Sequence, residues 1–106
     1  MKKETIKIIQ NWYQQNCNGD WEHNFGIKIE SLDNPGWHVI IDLVGTNLEG
    51  IEVNVDTDTS GQNEWHEISI VDNKYIGVGS PEKLEYILDC FAKLVSSGLS
   101  RKDDYI

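Results

Sequence analysis

The sequence predicts an α+β fold: an antiparallel meander sheet of four to five strands, with an N-terminal and a C-terminal helix packed on one face. Three observations predict it. Both ends of the chain carry apolar residues at helical spacing. The middle carries short runs that alternate apolar and polar residues. Turn residues separate those runs at intervals too short for crossover helices, so successive strands are expected to run antiparallel. The 106 residues suit one domain spanning 1–106, and 39% hydrophobic content supports one modest core.

Residues 3–16 read as the first helix, with Ile6, Ile9 and Trp12-Tyr13 on one apolar stripe. Asn18-Gly19 stops it. Residues 25–32 read as a half-buried strand, with Phe25, Ile27 and Ile29 on one side and Lys28 and Glu30 on the other. Asp33-Asn34-Pro35-Gly36 is a turn, because Pro presets φ and Gly permits positive φ. A second strand over 37–43 sets Trp37, Val39, Ile41 and Leu43 against His38, Ile40 and Asp42. After a turn at 45–47, a third strand over 48–56 sets Ile51, Val53 and Val55 against Glu52 and Asn54. A polar loop leads to a fourth strand, Trp65–Val71. Asp72-Asn73 turns the chain into a short fifth strand at 75–78.

The last helix has the clearest signals. Ser80 suits the N-cap, Pro81 the first helical position, and Glu82 the helix dipole. Leu84, Ile87, Leu88, Phe91, Leu94 and Val95 form its apolar stripe, and Ser96-Ser97-Gly98 ends it. The tail from Arg101 is expected to be loosely held. With both helices on one face, the other sheet face would present Lys28, Glu30, His38, Asp42, Glu52, Asn54 and Glu67.

Nine Lys and Arg stand against eighteen Asp and Glu, a formal charge of −9. Such a surface repels phosphate backbones and anionic membranes, so neither is an expected partner. It attracts a basic protein. No apolar run is long enough to span a bilayer, and the N-terminus lacks the apolar core of a signal peptide. The cytoplasm is therefore the expected location. Cys17 and Cys90 fit no zinc or redox spacing and read as reduced thiols.

Several clusters invite chemical readings. Asp20-Trp21-Glu22-His23 mixes metal-ligand and acid–base types, but no second cluster stands at ligand spacing. The simpler reading is that Trp21 plugs the core edge while the acids cap or pair locally. Asp56-Thr57-Asp58-Thr59-Ser60-Gly61 with Glu67 has the form of a calcium loop, yet strands rather than helices flank it. Gly77-Val78-Gly79 stands before a helix and could receive an anion, though the Ser80-Pro81 helix start explains the site. No nucleophile arrangement, cofactor motif or metal set is expected. Four tryptophans are many for this length. At least two are expected in the core, and Trp65, on the polar side of its strand, is the candidate exposed anchor.

Trp12-Tyr13, Cys17-Asn18-Gly19-Asp20-Trp21-Glu22-His23, Gly26-Ile27-Lys28-Ile29, Leu32-Asp33-Asn34-Pro35-Gly36-Trp37 and Ile41-Asp42-Leu43 together resemble the immunity protein 53 family. The Gly77–Leu88 segment is similar more loosely. The resemblance implies a bacterial α+β protein encoded beside a polymorphic toxin, which it binds and neutralises. It implies no catalytic residue. The charge points to a basic toxin domain, such as a nuclease, and the acids offered to it would be Glu30, Asp42 and Glu52 on the sheet face. The loops would add Asp20, Glu22, Asp33, Trp37, Asp56, Asp58 and Trp65. The alternative is a small-ligand binder or small enzyme. The oligomeric state is left open.

Overall fold

The computed structural model describes residues 3–97. The elements are helices α1 (Lys3–Asn16) and α2 (Trp21–Asn24), strands β1 (Ile27–Leu32), β2 (Gly36–Asp42), β3 (Val53–Asp58), β4 (His66–Val71) and β5 (Lys74–Gly79), a 3-10 turn (Pro81–Lys83) and helix α3 (Leu84–Ser96). Gly98 and the tail from Arg101 lie outside the described residues.

The five strands form one sheet, antiparallel at every pairing, in the order β1-β2-β5-β4-β3. The fold class is the one the sequence predicts. The strand order refines it, because β3 does not lie beside β2. Residues 43–52 carry the chain to the far edge, and β4 and β5 then step back to meet β2. The step from β4 to β5 is a two-residue turn with positive φ at Asp72 and Asn73, the geometry whose twist matches a hairpin.

Both helices cover one face. Val39, Ile41, Ile68, Ile70 and Tyr75 point into the core from the sheet, and Ile9, Trp12, Ile87, Leu88, Phe91 and Ala92 meet them from α1 and α3. Aromatic edges join these layers. Trp12 lies edge-on to Phe91 and to Trp21, at ring separations of 5.0 and 5.9 Å. Tyr75 meets Phe91 at 5.0 Å, and its buried hydroxyl donates to the Ile87 carbonyl at 2.7 Å. Trp12 and Trp21 are thus the two core tryptophans expected.

Gly77 decides how closely α3 can lie on the sheet. A Cβ there would stand 2.4 Å from Ile87 Cγ2, so only glycine admits the contact. The glycines before α3 therefore have a packing role that the sequence left unnoticed.

Several elements differ from expectation. The third strand is 53–58 rather than 48–56. Leu48 and Ile51 are buried, but from turns around Gly45 and Gly50, both at positive φ. Val53 starts β3 and remains 46% exposed, and the register slips by one residue between Asn54 and Asp56. Ser80 does not cap a helix through its side chain. Its hydroxyl accepts from the Trp65 N–H at 3.0 Å and donates to the Glu82 carboxylate, while its own N–H donates to the Trp65 carbonyl at 3.0 Å, so Ser80 rivets the β4 entry to the β5 exit. α1 has the expected bounds, but its stripe splits. Thr5, Ile9 and Trp12 face the core, while Ile6 and Tyr13 stay 47% and 38% exposed. The two rows stand one residue apart around the helix, and only one can face α3.

Candidate functional site

Charge in the described chain is segregated along the sheet. Residues 44–73, which form β3, β4 and their connections, contain seven Asp or Glu and no Lys or Arg. Glu49, Glu52, Asp58, Glu64, Glu67 and Asp72 are exposed, and Asp56 is half-buried. The nearest cations belong to other elements: Lys74 at the start of β5, and Lys83, whose Nζ lies 3.4 Å from Glu64.

Glu30, Asp42 and Glu52 do not make one patch. On β1, Glu30 lies 3.4 Å from His38 Nδ1 across the pair. Asp42 ends β2, accepts the Gly26 N–H at 3.0 Å and lies 3.5 Å from Lys74 Nζ. It is a structural clamp between neighbouring strands. Glu52 precedes β3 on the opposite side of the sheet. Their expected grouping required β3 to neighbour β2. The centre of the open face is also less polar than expected, because half-buried Ile40, Ile76 and Val78 lie between the acids.

Of the two acids near α2, Glu22 serves the loop, while Asp20 makes no side-chain cap bond. Glu22 accepts the N–H groups of Asn18 at 2.9 Å and Gly19 at 2.8 Å. Its own N–H, with those two, holds its carboxyl below the usual value. The side chain of Asn18 caps the N–H groups of Asp20 and Trp21. Trp21 is buried, and its indole donates to the Val44 carbonyl at 2.7 Å. The local reading of this cluster is the one the geometry carries. Asp33 is exposed in the β1–β2 turn. Trp37 is half-buried and donates from Nε1 to the Pro81 carbonyl at 2.7 Å. Trp65 is also half-buried, immediately before β4.

Asp56, His66 and Tyr86 form the one extended side-chain network at the β3 edge among the described residues. Asp56 accepts a short hydrogen bond from the Tyr86 hydroxyl and lies 3.1 Å from Nε2 of buried His66. The hydroxyl contact holds the Asp56 carboxyl low and drives the Tyr86 phenol up. Burial raises the Cys90 thiol beside them. A carboxylate held ionised and a phenol and thiol held protonated are locked in their resting forms near neutral pH. The arrangement suits a rivet between β3, β4 and α3. Asp58 turns inward on its own loop and accepts from the Ser60 N–H and hydroxyl at 3.1 and 2.7 Å. The calcium-loop pattern is not assembled, because Asp56 faces the helices while Glu67, opposite Thr57, faces the open side.

A second surface was not legible as such. An open groove of about 520 Å³ runs between α1 and the start of β1, lined by Ile6, Ile9, Gln10, Tyr13, Phe25, Gly26 and Ile27. Its exposed apolar residues were expected in the core. The spacing Ile6–Gln10–Tyr13, one residue out of phase with Thr5–Ile9–Trp12, is the signal that could have separated them.

The model of the immunity protein 53 family matches residues 6–96. The chain belongs to the immunity protein 53 family. Membership makes it an immunity protein directed against a toxin. The match spans α1 to the end of α3, so it covers both the acidic half of the sheet and the apolar groove. Neither a curated protein nor a solved structure matches the chain. Among the described residues, no helix is long and apolar enough to cross a membrane.

Proposed function

We infer that this immunity protein neutralises its toxin by stoichiometric binding, with the acidic β3–β4 half of the sheet set against a basic surface of the toxin domain. The observation that carries the reading is the absence of any Lys or Arg across residues 44–73, against seven acids. Exposed carboxylates outnumber the counter-charges near them here, Lys83 beside Glu64 being the one lysine in contact among the described residues, so they repel one another; a basic partner relieves that repulsion while its field speeds encounter. A nuclease cleft, built to hold phosphates, has the matching sign. The acids engaged would be Glu52, Glu64 and Glu67, with Asp58 at the loop; Glu64 keeps an exposed side chain although Lys83 lies 3.4 Å away, and Asp58 bonds Ser60 of its own loop, whereas Glu30 and Asp42 lie on the β1–β2 half beside His38 and Lys74. Glu22 holds its own loop, Asp20 is exposed beside it, and Asp33 and Trp37 lie toward the β1–β2 half.

The test is the triple variant Glu52→Gln, Glu64→Gln, Glu67→Gln, with association to the toxin domain measured at two ionic strengths. Association should slow about tenfold at low salt, and the gap should shrink as salt is added. The melting temperature should hold or rise slightly. An unchanged low-salt rate would remove this half of the sheet from the docking surface.

A further inference from the structure

The free edge of β1 is unusually well prepared to pair. Gly26 and Asp42 form a hydrogen-bonded pair, with the Asp42 N–H donating to the Gly26 carbonyl at 3.0 Å. The β1–β2 register runs without a slip from Ile27 to Leu32. By the alternation of an antiparallel ladder, Lys28 and Glu30 spend their backbone groups on β2, while Ile27, Ile29 and Ser31 aim N–H and C=O away from the sheet. Among the described residues no strand lies beyond β1. Ile29 is 46% exposed on the helix-covered side, beside the groove beneath Ile6 and Tyr13. An edge left this regular, with an exposed apolar residue at its centre, is a template for another strand.

The side chains of β1 read as their own complement. Fold the strand antiparallel onto a copy of itself about Ile29, and Lys28 stands opposite Glu30 of the copy, twice over. Ile27 stands opposite Ser31, again twice, and Ile29 meets Ile29. The outward backbone groups of 27, 29 and 31 then fall in register with one another. A strand from an unrelated partner would have to supply the matching charge order, whereas a second copy has it already.

We propose that β1 pairs antiparallel with β1 of a second copy about a twofold at Ile29, merging two sheets into one and covering Ile6, Tyr13 and Ile29 of both copies. The isologous geometry closes, so it yields dimers and not fibres. It engages the edge opposite the acidic half, where each copy keeps its β3–β4 side free. The formal charge of −9 per chain opposes association at long range. Physiological salt screens that repulsion beyond roughly 8 Å, leaving the local Lys28–Glu30 pairs to set the register.

The test is sedimentation of the full chain across a concentration series at physiological salt, without toxin. The wild type should dimerise by about 100 µM, a weak but specific affinity. Lys28→Glu and Glu30→Lys should each shift the dissociation constant upward by about tenfold or more, since each sets like charges face to face. The double variant Lys28→Glu, Glu30→Lys should recover the dimer, because exchange restores both pairs. Ile29→Pro removes only an outward N–H and should give a folded monomer by circular dichroism. A wild type that stays monomeric overturns the proposal. So does a dimer indifferent to the single charge reversals, or a double variant no better than the singles. A monomer whose toxin capture is slowed by Ile29→Pro would assign the edge to a toxin strand instead.

Discussion

Strands β1 and β3 close opposite sides of the same sheet, and both are six residues long. Strand β3 is broken by a register slip at Val55, carries Asp56 and Asp58, and is tied to α3 through the Asp56–Tyr86 contact. Bulges and charges are the devices that keep an edge from recruiting a stray strand. Strand β1 has no slip, and the groove beside it is lined largely by apolar side chains. One edge thus offers electrostatic attraction without a template for backbone pairing. The other offers that template with little net charge, since Lys28 offsets Glu30 on its open side. The difference teaches that a strongly acidic chain need not use one mode of recognition over its whole surface.

The largest test of this comparison removes both edges together. Gly77 lies on β5, which holds the β1–β2 and β4–β3 halves together. Gly77→Val drives a side chain into Ile87 and should cost about 3 kcal/mol, read as a fall in the denaturant midpoint. If stability were unchanged, the two halves would not share one α3-covered core.

A smaller effect isolates the β3 edge. Tyr86→Phe deletes the donor to Asp56 at a site largely open to water, so about 0.5–1 kcal/mol is expected after screening. The sign with pH is defined. The Asp56 carboxyl is held below its ordinary value of 3.8, so its contribution is complete above that pH and is lost as pH falls through the lower folded value. The wild type should lose this increment on acidification below about pH 4, and Tyr86→Phe should show a shallower loss. Equal acid slopes would deny the contact any part in holding the edge.

The smallest effect concerns Glu30. Glu30→Gln removes a half-exposed pairing with His38 and should change stability by less than about 0.5 kcal/mol. It should also leave the low-salt association rate with toxin within about twofold, in contrast to the triple variant on the acidic half. A larger loss would move the docking surface toward β1.

The residues that read clearly in sequence were those whose surroundings are local. α1 runs from Lys3 to Asn16, and the α3 stripe through Ile87, Leu88 and Phe91 is buried as its spacing predicts. The β4–β5 turn followed from Asp72-Asn73. The third strand did not follow, because Ile51 continues the alternation of Val53 and Val55 while lying before the strand, just after the turn at Gly50. The excess of acids was legible, but their grouping was not. Whether Glu52 neighbours Asp42 depends on strand order, which non-local pairing sets and no short window of sequence encodes. The outward row of α1 was hidden for the same reason, since a stripe reveals apolarity and not which neighbour covers it.

The strand order also bears on how the chain reaches this state. Strands β1 and β2 pair across a short turn, as do β4 and β5, while β3 reaches β4 through one loop. Only the seam between β2 and β5 joins residues far apart, from Asp42 with Lys74 to Trp37 with Gly79. Closing a loop of some thirty residues costs about 2 kcal/mol more entropy than closing a four-residue turn. Two hairpin units should therefore form early and separately, and the molecule becomes cooperative when the seam zips and α3 settles over Gly77. The search for that seam sets the pace of folding, and until it closes the chain shows the cell two unfinished sheets with four open sides instead of two.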